Sequence, residues 1–136
     1  MLEDPKINIR IKLSVLWASL MSLYIYGDYF ELYAPNKIDN LLNGTAILDS
    51  PAKLFLASFV LAIPALMIAL SVLLKPIISK RLNIIFGIFF TLVVVIVGST
   101  SFYTWYTFYV FYAALEAIVT LLIVWYAWNW PKEASA

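Results

Sequence analysis

The sequence predicts an all-α polytopic membrane protein, a single-domain bundle of four transmembrane helices. Three observations predict it. First, 64% of the 136 residues are hydrophobic and only 12% are charged, where a soluble domain carries roughly 25% charged residues. A globule this small cannot hide so much apolar surface, and lipid is the solvent that fits. Second, the apolar residues gather in four runs, each near the ~20 residues a helix needs to cross a bilayer. Third, short segments rich in Pro, Gly, Asn and Lys separate the runs, and none is long enough for a further domain.

The first span is expected over residues 11–33, after a polar arm with Lys6 and Arg10. The opening Met1-Leu2-Glu3-Asp4 does not read as a signal peptide, because acids precede the basic residues and no small-residue cleavage site follows. The first half of this span is uncharged; its last third holds Asp28 and Glu31. Residues 34–51 carry the breakers Pro35, Asn43-Gly44 and Ser50-Pro51. Between them Ile38, Leu41 and Leu42 recur at helical spacing and predict a short amphipathic helix on the membrane surface.

Asp49-Ser50-Pro51 is a start signal for a second span over 52–74. Pro64 should kink it by removing the bond to the Val60 carbonyl. Ser58, Ala62, Ala65 and Ala69 form a small-residue strip, expected to seat a neighbouring helix. Residues 75–81 read as a basic turn and 82–101 as the third span. There Asn83, Gly87 and Thr91 share one face, and Gly98 falls close to it. The β-branched run at 92–97 favours a strand by composition, but backbone in lipid must bond within its own segment, which decides for helix. After an uncharged connection the fourth span runs over 108–130 and stops at Pro131, with Lys132 and Glu133 beginning a tail.

Four spans put both termini and the turn at 75–81 on one side of the membrane. Lys6, Arg10, Lys12, Lys75, Lys80, Arg81 and Lys132 fall there, seven of the nine cations. Only Lys37 and Lys53 fall opposite. The positive-inside rule therefore predicts cytoplasmic N- and C-termini and an external loop at 34–51.

Composition also excludes chemistries. No cysteine means no disulfide and no thiolate metal site; no histidine removes the usual neutral-pH proton carrier. A net charge of +1 gives no field for nucleic acid. No Ser-His-Asp, P-loop or dinucleotide pattern occurs, so neither a catalytic residue, a metal nor a cofactor is assigned. Any proton chemistry must run on carboxylates, tyrosines or lysines.

The candidate site is built on those groups. Glu116 lies roughly 12–14 Å into its span at 1.5 Å per residue, near the midplane. A charged acid at that depth costs at least ~2.5–3.5 kcal/mol. No intramembrane Lys or Arg is available to pair with it, so Glu116 is expected to carry its proton at rest. Tyr109, Tyr112, Glu116 and Thr120 make one helical stripe; Tyr24, Asp28 and Glu31 make another. Eight of the nine tyrosines fall in the half opposite the termini, whereas Trp125, Trp128 and Trp130 belt the other end. Asp28, Glu116, Tyr24, Tyr109, Tyr112 and Glu31 are thus the candidates for a solute, ion or proton site, with Asp28 inside the bundle. Their bland alternative is glue, in which tyrosine hydroxyls satisfy the acids between the first and fourth helices. Glu31 alone reads more naturally as a solvated acid at a helix end.

Ile63-Pro64-Ala65-Leu66-Met67-Ile68 with Leu70-Ser71, then Arg81-Leu82-Asn83-Ile84, Glu116 and the ending Trp125-Tyr126-Ala127-Trp128-Asn129-Trp130 together resemble a family of small bacterial four-helix membrane proteins of unassigned function. Asp28 matches an acid near the end of that family's first span. The resemblance implies four helices and a bacterial inner membrane, and carries no activity. The layout is also similar to that of DoxX-like proteins. Three functions follow as expectations. The first is a small transporter or channel-like protein, homo-oligomeric, using Asp28 and Glu116 to bind a cation or small polar solute. The second is a non-transport subunit that binds lipid or a partner, and the third a lipid-directed enzyme.

Overall fold

Four long helices cross one another's length in the computed structural model, which describes residues 1–132. They are α1 (Ile9–Glu31), α3 (Pro51–Leu73), α4 (Pro76–Ser99) and α5 (Thr107–Trp128), with a short α2 (Lys37–Leu42) between α1 and α3. A 3₁₀ turn at Thr104–Tyr106 precedes α5. No strand occurs among the described residues. All four long helices are long and apolar enough to span a membrane. The expected tail from Glu133 lies outside the described residues.

Local sequence sets the helix ends. Asn8 caps α1, its Oδ1 accepting from the Arg10 backbone N–H at 2.9 Å. Ser50 does the same for α3 through Lys53 N–H, and Pro51 takes the first turn, where it needs no donor. Asn36 adopts φ 65°, a left-handed conformation that asparagine tolerates, and turns the chain into α2. One boundary differs from the expectation. Residues 76–81 are helix rather than turn, because Pro76 starts α4 directly after an extended Leu74. Cations near a helix N-terminus oppose its dipole, which is why Lys80 and Arg81, early in α4, look like loop in sequence.

The helices form a closed ring: α1 packs on α3 and α5, α4 packs most closely on α5, and α3 touches α4 least. Glycine explains the close pair. A Cβ on Gly87 would stand 2.7 Å from Val124 Cγ2, and one on Gly98 would stand 3.0 Å from the Ala113 Cβ. The small-residue strip of α3 behaves differently from the expectation. Ser58, Ala62, Ala65 and Ala69 are all exposed, and α3 instead buries Pro64, Met67 and Ser71. The bulkier face wins because the core on this side is built around large side chains. Leu13, Trp17, Leu20, Met67, Phe90 and Ile123 are each 1% exposed or less.

Within this core lies a polar knot at the end of the bundle that carries the termini. Trp17 Nε1 donates to Asn83 Oδ1 at 2.7 Å, tying α1 to α4. Ser71 Oγ also donates to Asn83 Oδ1, at 3.3 Å, and brings in α3. Asn83 Nδ2 donates to the Ser79 carbonyl at 2.8 Å, and Ser79 Oγ to the Ser71 carbonyl at 3.0 Å. Ser71, Ser79 and Asn83 are fully buried, so every bond counts. Asn83→Leu strands the Trp17 N–H and the Ser71 hydroxyl. It is expected to lower unfolding free energy in detergent by about 1–3 kcal/mol, measurable by urea or SDS titration.

The basic residues at this end cap helix termini. Arg10 Nη1 donates to the Val72 carbonyl in the last turn of α3, and Lys80 Nζ to the Trp128 carbonyl ending α5, both at 3.3 Å. At the opposite end the two lysines are neutralised: Lys37 pairs with Glu31 and Lys53 with Asp49.

Candidate functional site

In the half of the bundle away from the termini the ring of helices opens around a cavity of about 200 Å³. Each long helix contributes wall. The chemistry-bearing residues are Tyr24 and Asp28 from α1 and Tyr109 and Glu116 from α5. The remainder is apolar: α4 supplies Phe90, Val93 and Val97, and α3 supplies Val60 and Leu61. Phe90 forms the floor. Its ring centroid lies 6.1 Å from Trp17 in the core below and 6.2 Å from Tyr24 in the wall. No lysine or arginine lines the space.

Two features of local sequence make room here. Gly27 is buried, yet a Cβ built on it would meet nothing within 4 Å. Its missing side chain therefore widens the cavity and does not serve a close helix approach. Pro64 deprives the Val60 carbonyl of its helical donor, and Val60 stands in the wall.

Four of the six residues singled out in the sequence come together: Asp28, Glu116, Tyr24 and Tyr109. Glu116 is the buried member, 9% exposed. Asp28 lines the same cavity but is exposed, so it stands at the rim rather than inside the bundle as expected. The inward position of that turn belongs to Gly27.

Tyr112 and Glu31 lie elsewhere. Tyr112 lines a separate apolar groove with Phe30, Tyr33, Trp105, Phe108 and Phe111. The reason is angular. On a helix of 3.6 residues per turn Tyr112 is rotated about 60° from Tyr109, and the inward stripe of α5 is Tyr109, Ala113, Glu116, Thr120. Glu31 is bound by Lys37 and accepts from the Tyr106 hydroxyl at 3.5 Å, tying the end of α1 to α2 and the 3₁₀ turn. It is thus a paired acid, not a solvated one.

Lys37 sits outside the spans, and its ammonium is held above its ordinary 10.5. Partial burial works against the charge, but the hydrogen bond and charge of Glu31 outweigh it. Because the folded value is the higher, the ammonium's contribution is intact at neutral pH and is lost only as pH rises through the raised value. Lys37→Met is expected to cost no more than ~1 kcal/mol at neutral pH, read as a small fall in Tm that 1 M salt reproduces in the native protein.

Neither Asp28 nor Glu116 accepts a hydrogen bond from any described residue, and the Tyr24 hydroxyl is buried without a partner. Buried polar groups are nearly always paired, and the knot around Asn83 obeys that rule within the same bundle. Sequence reasoning missed Gly27 as a space-maker and Phe90 as a floor. The signal for Gly27 was its place on the inner edge of the Asp28 stripe.

Fold and site define an integral membrane protein, a four-helix bundle with an acid-bearing cavity in one half. The chain belongs to DUF6326, a family of unknown function, whose model matches residues 4–136. No curated protein and no solved structure matches it. The similarity of layout to DoxX-like proteins finds no support in these comparisons.

Proposed function

We propose that this protein is a small transporter or channel-like protein that binds a small monovalent cation in the cavity between Asp28 and Glu116. The observation that carries the reading is the set of unsatisfied groups. Two carboxylates and a tyrosine hydroxyl without protein partners surround one space that contains no basic side chain. A cation entering there replaces the missing hydrogen bonds and compensates charge in a medium where an unpaired acid is expensive. The walls of Phe90, Tyr24, Tyr109 and valines favour an organic ammonium over a hydrated metal ion, since aromatic faces attract cations. Divalent ions want more oxygen ligands than two acids supply, and among the described residues no three acids gather. Protons compete with the cation for Glu116, which couples its movement to a proton gradient.

In this reading the membrane is the bacterial inner membrane and the termini are cytoplasmic. The neutralised Lys37 and Lys53 at the α2 end support that orientation, against the excess of cations at the other. Four helices are few for an alternating-access cleft, so the working form is a homo-oligomer, for which the exposed strip on α3 permits close approach.

The test is uptake of tetramethylammonium into proteoliposomes under an outward proton gradient, with sodium as the comparison. Gradient-dependent accumulation is expected; no flux under either polarity overturns the reading. Orientation is checked separately. A cysteine at Asn43, in the turn after α2, is expected to react with an impermeant maleimide from outside intact cells.

A further inference from the structure

The end of the bundle that carries the termini holds a second concavity, unrelated to the acids. It is a cleft of about 530 Å³ between the N-terminal arm and the last turns of α5. Lys6 and Lys12 stand on one side, Asn8 and Asn129 add polar groups, and Trp125 and Trp130 form the opposite wall. A narrower apolar furrow of Ile11, Val15 and Leu16 leads from it along α1 toward the bilayer centre. The two share Ile7, Lys12 and Tyr126, and so form one continuous surface. Lys12 Nζ lies 5.2 Å from the centroid of the Tyr126 ring, which holds the ammonium at the junction of cleft and furrow.

We propose that this surface is a binding site for one anionic phospholipid. Charge and shape argue together. Among the described residues neither Lys6 nor Lys12 has a carboxylate within ion-pair distance, and Glu3 and Asp4 do not line the cleft. Unlike Arg10 and Lys80, which cap helix ends, these two lysines have no hydrogen-bonding task in the fold. A phosphodiester is the group that matches two neighbouring ammoniums with amide donors beside them. Tryptophan and tyrosine place the cleft at headgroup depth. The furrow then continues in the direction an acyl chain must take, and its floor is aliphatic. A soluble phosphate would use the cleft and leave the furrow empty; a lipid uses both.

Native mass spectrometry tests this on the full-length protein in detergent with equimolar phosphatidylglycerol and phosphatidylcholine. The wild-type protein is expected to retain phosphatidylglycerol preferentially. Lys6→Gln and Lys12→Gln are expected to reduce the preference by about fivefold each, while Lys75→Gln with Arg81→Gln, at the same end but outside the cleft, leaves it intact. Ile11→Trp, which fills the furrow and spares both lysines, is expected to weaken retention of the lipid. Circular dichroism on each variant confirms that helix content is unchanged. Three results overturn the proposal: equal retention of the two lipids by the wild-type protein, an equal loss from the Lys75/Arg81 pair, or retention indifferent to Ile11→Trp.

Discussion

Glu116→Gln is expected to abolish cation binding and proton-coupled uptake while the bundle stays folded. Glutamine matches glutamate in shape and removes only the negative charge. Truncating one member of a buried ion pair typically costs ~3–5 kcal/mol, or about two to nearly four orders of magnitude in affinity. The stability readout separates site from glue. Glu116 accepts no hydrogen bond from the described residues, so its replacement breaks none, and the melting temperature in detergent should hold or rise. A clear fall in melting temperature with unchanged uptake would show the acid to be a structural tie. In the native protein, cation affinity should decline as pH falls, because protons and cation compete for the same oxygens. In Glu116→Gln that dependence should flatten, leaving only the contribution of Asp28 at the rim.

Gly27→Leu should have a comparable effect on binding for a different reason. No atom stands within 4 Å of a Cβ at this position, and Gly27 lines the cavity, so a larger side chain here takes up cavity space. It occupies the space that the solute needs and leaves every charge in place. Removing glycine from a helix interior also stabilises by roughly 0.5–1 kcal/mol. The expected result is therefore a protein that melts no lower than the original and no longer binds tetramethylammonium. Gly27→Ala is the control: a similar helical gain with most of the volume kept. Isothermal titration on the three proteins reads out affinity, and thermal unfolding reads out stability. Full binding by a well-folded Gly27→Leu protein would place the solute elsewhere.

Much of the architecture was legible because lipid imposes strong rules. The four apolar runs, the breakers at Asn43-Gly44 and Ser50-Pro51, and the helical reading of the β-branched run at 92–97 follow from solvation of the backbone. The start of α4 at Pro76 was less legible, because its cations oppose the helix dipole and only the proline marks the first turn. That Asp28 and Glu116 fall in the same half of the bundle was readable from their places in the first and fourth spans; that one is buried and the other stands at the rim was not. Nor were their partners. Tyr112 lies one helical step from Tyr109 and looks equivalent until the direction of the neighbouring helix is known. The exposed strip of Ser58, Ala62, Ala65 and Ala69 misled for the same reason: small size permits contact but does not choose a face. The knot joining Trp17, Ser71, Ser79 and Asn83 spans three helices, and no periodicity within one helix can announce it.

That knot has a consequence for how the chain can change over time. The hydrogen-bonded knot lies toward the end of the bundle that carries the termini and the cavity toward the other, with Phe90 shared between the core and the cavity. Substitutions at Val60, Val93 or Val97 reshape the chamber without touching the bonds that hold α1, α3 and α4 together. Proteins ordinarily sit close to a stability threshold, and altered specificity often lowers stability. Here foundation and chamber are layered along the membrane normal. If the cavity binds a solute as proposed, a lineage with this layout could alter it at Val93 or Val97 while leaving the knot's hydrogen bonds in place.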